Sequence, residues 1–246
     1  MRGERGKRSL RIMSHLIVTL FEISIVSFCI IMISCGLPTA EYLYPPDDLS
    51  SGGGALVIDH NKENIDEPAI SSLFLGYEIY YRIFDDQNDA TQSYDNISNM
   101  KSSNVIQTAN YYKYYPLKHR ILASGQFSLD ISPLIKVSSN TYTKYYLNMN
   151  SQGTWTLTND KDSNIVIDSI VRSRSDTASS AEIGNADFYL RSEYKVGDRD
   201  YAGTNPSPSS VYIVFFAFSY GFDPSNMKNV YSDPVILEPV EYIPGT

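Results

Sequence analysis

Of the two cysteines in this 246-residue chain, Cys35 is the one placed for chemistry. It follows an apolar run, residues 23–33 (ISIVSFCIIMI), and the small Ser34, so a peptidase can reach the bond before it and its thiol can then accept a diacylglyceryl group. Cys29 lies inside the run, and a cut before Cys35 leaves one acylated cysteine and nothing to pair with it. Two oxygen-rich clusters have the donor chemistry of a calcium site: Asp85, Asp86, Asn88 and Asp89, and Asp160, Asp162, Asn164 and Asp168. The second opens like a calcium loop, but Ile165 replaces the turn glycine and Val171 the closing glutamate, so a hydrated turn is expected and no metal is assigned. Tyr111, Tyr112, Tyr114 and Tyr115 put four rings in five residues, which cannot all enter one core. Such tyrosines give large contact area at low entropic cost, as in paratopes and sugar platforms. Ordinary sheet packing is the alternative, since the chain carries 20 tyrosines.

Signs of catalysis are few. His60 and His119 are the only histidines after the apolar run, each in a polar neighbourhood, and there is no Gly-x-Ser-x-Gly elbow, phosphate loop or His-Glu-x-x-His. The expectation is no enzyme and no cofactor.

The leader explains how Cys35 would be delivered. Arg2, Arg5, Lys7, Arg8 and Arg11 precede an apolar stretch that Glu22 limits to 11 uninterrupted residues, a length suited to an export signal rather than to a span of about 20. An uncleaved anchor over residues 16–33 is the alternative. The Met32-Ile33-Ser34-Cys35 end resembles a relaxed bacterial lipobox of the kind found in spirochaetal, Treponema-type lipoproteins. That resemblance implies a signal peptide at 1–34, acyl chains on Cys35, and export to a cell membrane or outer membrane, lipid-anchored.

Five of the 20 basic and two of the 28 acidic residues precede Cys35, so the remaining 212 residues carry a formal charge of −11. Such a surface repels phosphate, which makes nucleic acid an improbable partner. No polybasic patch assists the acyl chains, so stable anchoring calls for more than one of them.

Residues 35–54, with Pro38, Pro45, Pro46 and a run of three glycines, read as the lipidated cysteine and a flexible tether, or in part as a first edge strand. From residue 55 the composition turns to strand formers, with strands expected at 55–59, 75–84, 126–131, 144–150, 154–158, 164–171, 187–194, 211–219 and 231–237. Helical spacing occurs only at 89–102, after Asp86-Gln87-Asn88-Asp89. The fold class expected is all-β, a sandwich over 55–246. Leu75-Gly76-Tyr77-Glu78-Ile79-Tyr80-Tyr81-Arg82 resembles strand C of a fibronectin type III module in the immunoglobulin-like class. Pro208-Ser209-Ser210-Val211-Tyr212 resembles its corner into strand F, and Ser232-Asp233-Pro234-Val235 its last strand. The resemblance implies that the Tyr212 hydroxyl returns to the upstream backbone, and that a long β-rich region, about 85–205, is inserted in the frame.

Together these features predict a non-enzymatic envelope lipoprotein that binds or adheres to an envelope protein or to an extracellular protein or glycan. A structural component of the envelope is the second reading, and a glycan-acting hydrolase the third.

Overall fold

A computed structural model describes residues 42–119, 133–149, 155–161, 168–172, 194 and 196–243, all within one compact unit, Tyr42–Thr246. The leader, Cys35 and the expected strand at 126–131 lie outside these residues.

The chain enters through β1 (Asp48–Gly52), which turns at Gly53 and Gly54, both at positive φ, and pairs antiparallel with β2 (Ala55–Asp59). Part of the expected tether is therefore folded. Leu43 is fully buried, Leu49 nearly so, and Asn64 holds Tyr44 by its amide and its carbonyl (2.9 and 2.8 Å). The physical reason is that two leucines among the prolines and glycines face the core. Two short helices follow, α1 (Glu63–Asp66) and α2 (Pro68–Ser71), and then the long strand β3 (Phe74–Phe84).

Helix α3 (Gln87–Ile97) begins where Asp86 accepts the amides of Asn88 and Asp89 (2.8 and 3.2 Å), a regular N-cap. It ends short of the predicted Ser102, because Lys101 and the Ser102 amide leave the helix to bond Asp233. A 3₁₀ turn (Ser102–Asn104) leads into α4 (Val105–Tyr111), a helix that the sequence did not signal. Thus the region expected as a β-rich insertion, about 85–205, opens with helices rather than strands.

The remaining strands are β4 (Tyr115–Pro116), β5 (Lys118–His119), β6 (Ile135–Lys136), β7 (Lys144–Met149), β8 (Trp155–Asn159), β9 (Asp168–Val171), β10 (Val211–Asp223), β11 (Lys228–Tyr231) and β12 (Val235–Tyr242). One sheet runs β1-β2-β7-β8-β9-β5. In the other, β3 and β10 pair along their length; β12 and β11 succeed each other on the far edge of β10, and β4 and β6 on that of β3. The predicted strand 231–237 is broken at Ser232: its amide still donates to the Ser219 carbonyl (3.0 Å), but its hydroxyl rather than its carbonyl accepts the Ser219 amide (2.9 Å), and β11 ends there before β12 begins. At Pro239, which has no N–H to give, β12 carries an extra residue opposite Ile213 to Phe215.

The sheets pack face to face over Leu56, Ile58, Leu147, Leu157, Tyr77, Ile79, Tyr81, Ile83, Phe215 and Ala217, with Trp155 of one sheet 5.6 Å from Phe215 of the other. The opposite face of the second sheet presents Phe84, Val214, Phe216 and Phe218 to Ala90, Ile97, Val105 and Ala109 of α3 and α4. β10 is therefore buried on both faces, as its continuous apolar run from Ile213 to Phe218 requires. The architecture is antiparallel β with a helical layer on one side. Among the described residues, no helix is long and apolar enough to cross a membrane.

Tyr212 does not close the corner as the type III resemblance implies. Alternation along β10 turns its ring to the helical face, and it is Tyr201 whose hydroxyl bonds a nearby backbone carbonyl, that of Asn205 (2.6 Å).

Candidate functional site

The tyrosine cluster is parted by the way α4 ends. The Tyr114 amide reaches back to the Ala109 carbonyl (2.8 Å) and the Lys113 amide to that of Asn110 (3.2 Å), a Schellman closure with Lys113 at φ +57 in the position that favours glycine. A lysine there costs about 1 to 2 kcal/mol in backbone strain. This reversal buries Tyr114 fully, where its hydroxyl bonds Ser93 (2.8 Å) and burial pushes its pKa up to about 12, against the opposing effects of Ser93 and Arg82. Tyr115 passes into β4 opposite Tyr81, and Arg199 lies over its ring at 3.9 Å. Tyr111 is left 77 % exposed and meets the half-buried Tyr112 edge to face at 4.9 Å. Of the four expected contact residues, the tertiary structure thus presents two together, Tyr111 and Tyr112.

Cations gather beside them. Arg82, on the helical face of β3, donates from one Nη to the Tyr112 carbonyl (2.6 Å) and sits over Phe84 at 5.2 Å. Burial pushes its pKa down, with Tyr114 and Tyr115 opposing. It pairs with no carboxylate among the described residues, and none of its nitrogens is both buried and unbonded, so its free donors reach solvent. Lys113 is exposed and likewise without an ion-pair partner among the described residues. In an acidic chain, this is an aromatic surface edged with positive charge. Sequence reasoning named the tyrosines but missed Arg82 and Lys113, since 31 positions part them and it is the fold that brings Arg82 to the Tyr112 carbonyl, next to Lys113 in the chain.

The oxygen clusters are used structurally. Asp160 accepts the Thr143 amide (3.2 Å) and hydroxyl, tying the chain just before β7 to the chain just after β8; slight burial works against it, yet these bonds lower its pKa. Asp162 and Asn164 lie outside the described residues. Asp85 takes the amides of Thr204 and Asn205 (2.8 and 2.7 Å), and Asp86 caps α3. Among the described residues, no three His, Cys, Asp or Glu side chains are placed to hold a metal.

Two buried networks serve the frame. His60 bonds the Tyr77 hydroxyl through Nδ1 (2.6 Å) and Asn140 through Nε2 (2.8 Å), and Asn140 donates to Asp66 (2.6 Å). With the Asn140 carbonyl as acceptor, the proton of the neutral ring sits on Nε2, and Tyr77 donates to Nδ1. Burial pushes the His60 pKa down, although Asn140, Asp47 and Asp66 resist and Lys62 adds to the shift. Elsewhere Arg172 and the fully buried Asp200 form a two-pronged pair (2.9 Å each), joined by the Tyr81 hydroxyl at 2.5 Å, with Asp198 at 3.8 Å and the Tyr194 ring at 4.6 Å. Burial alone would lower the guanidinium; the Asp200 charge holds it above the ordinary arginine range. The pair joins the chain after β9 to the stretch that returns along β3, where the Ile83 amide bonds the Asp200 carbonyl (2.9 Å). The side chain of His119 lies outside the described residues.

In comparisons with protein-family profiles, curated proteins and solved structures, nothing matches this chain.

Proposed function

We propose that this chain is an exported, lipid-anchored, non-enzymatic binding module of the cell envelope, held by acyl chains on Cys35. The leader, with its basic start, short apolar run and Ser34-Cys35 end, supports the anchor. The observation that carries the binding role is the division of the tyrosines: Tyr114 is fully buried while Tyr111 is 77 % exposed beside Tyr112. Tyrosine is enriched among the residues that carry binding energy, and an exposed tyrosine packed on a second one supports a contact role more than a lone exposed side chain does.

A type III-like frame is the finer fold we propose. Its support is adjacency: β3 pairs with β10 and β10 with β12, the order expected of strands C and F and the last strand. The helical layer and the extra strands beyond β7 are this chain's own additions.

The test is protease treatment of intact cells with wild type and Cys35→Ser in parallel. The reading expects wild type to fractionate with membranes and Cys35→Ser to be released or to keep its leader. Equal size and equal membrane retention of the two would overturn the lipid anchor. Digestion without lysis would place the tyrosine surface outside the cell, and crosslinking only to envelope neighbours would favour the structural role instead.

A further inference from the structure

We propose that the Tyr111–Tyr112 surface binds a carboxylate-bearing saccharide of the uronic acid type, an inference that rests on the binding role proposed above. Three observations converge on it. Tyr111 offers an exposed aromatic face steadied edge-on by Tyr112, the form on which a pyranose ring lays its C–H face. Arg82 is fixed to the Tyr112 carbonyl, keeps solvent-reaching donors and has no carboxylate partner among the described residues, so a two-pronged bond to a ligand carboxylate is open to it. Lys113 occupies a left-handed backbone position that glycine would fill without strain, and its side chain stands exposed with no partner among the described residues. A strained residue kept where a relaxed one fits points to a use for its side chain.

Charge complementarity selects the ligand. In a protein of net charge −8, a cation bonded to the Tyr112 carbonyl and a second one next to Tyr112 in the chain suit an anion, and the exposed Tyr111 ring suits a sugar better than an extended acidic peptide, which has no flat apolar side. The competing structural role for Lys113 is to offset the negative end of α4. The two roles make opposite predictions, because only that structural role makes lysine more stabilising than glycine.

The experiment is calorimetric titration of the full-length chain in neutral detergent micelles with short oligogalacturonates, using the methyl-esterified oligomer and polyglutamate as controls. Binding is expected for the oligogalacturonate alone and weakens with added salt. Tyr111→Ala should weaken it about tenfold with melting temperature unchanged. Lys113→Gly should weaken it about fivefold while raising the melting temperature by about 2 to 4 °C. Absence of oligogalacturonate binding by wild type would overturn the proposal, as would equal binding by both variants. A lower melting temperature for Lys113→Gly would assign that lysine to the helix end. Polyglutamate binding that Tyr111→Ala leaves intact would make this an acidic-peptide surface and sink the saccharide reading. The outcome is separate from that of the anchor, since a chain released by Cys35→Ser is still expected to bind.

Discussion

His60 makes the fold sensitive to pH because it is buried as a neutral ring. Folded, the ring is neutral, with Tyr77 and Asn140 on its nitrogens and Asp66, Asp47 and Lys62 the charged groups acting nearby. Its folded pKa lies below the ordinary 6.5, so as pH falls through 6.5 the unfolded chain takes up a proton that the folded chain refuses. The histidine's contribution is whole above 6.5 and is lost below it, until the folded pKa is reached. The urea midpoint should therefore fall between pH 7 and 5, and His60→Gln should flatten that fall; an unchanged slope in the variant would refute the assignment. Arg172 gives a second expectation at this scale. Arg172→Ala leaves the carboxylate of Asp200 uncompensated at 0 % exposure, and should cost about 3 to 5 kcal/mol in equilibrium unfolding. Arg172→Met with Asp200→Asn should recover part of that loss, because the Asp200 charge is removed with its partner and only Asp198, 8 % exposed, keeps a charge there.

Secondary elements show where short-range signals suffice. Gly76 has φ +150, and a Cβ there would lie 1.8 Å from the Ile135 carbonyl oxygen of β6, at the bulge where β3 shifts register against β10. Gly76→Ala must then displace β6, and a loss of more than about 1 kcal/mol is expected on denaturant unfolding. Amide exchange should speed up at Tyr77 and Val137, the residues flanking that contact, while the β7–β8 ladder is unaffected. The strands at 55–59, 74–84, 144–149 and 155–159 were readable because alternating apolar residues of the right length suit a sheet. Helix α3 was readable in part through its Asp86 cap. Helix α4 was not: Val105, Ile106, Thr108 and Tyr111 are weak helix formers, and the helix exists because Val105 and Ala109 cover Phe216 and Phe218 on the sheet. The run Ile213–Phe218 did hold a hint of that cover, since a strand apolar on both sides needs a layer on each.

At the scale of the whole molecule, the domain begins before the glycines rather than after them. Leu43 and Leu49 lie in the core, and Tyr44 is held by Asn64, Glu67 and Ser219. A fragment starting at Ala55 should lose about 4 kcal/mol or more relative to one starting at Glu41, since each buried leucine contributes at least about 2 kcal/mol. Thermal melts of the two fragments check this, and equal midpoints would return the segment to the role of a loose tether. The sequence by itself determined that the chain is rich in antiparallel strand, that no familiar catalytic motif is present, and that its tyrosines crowd at 111–115, because composition, alternation and spacing are local properties of the chain. Only the tertiary structure decided which tyrosine is buried and which is displayed, that Arg82 bonds the Tyr112 carbonyl, and that helices close one side of the sheet. Those outcomes depend on contacts between residues tens of positions apart, whose energies exist only once β3, β4 and β10 have paired.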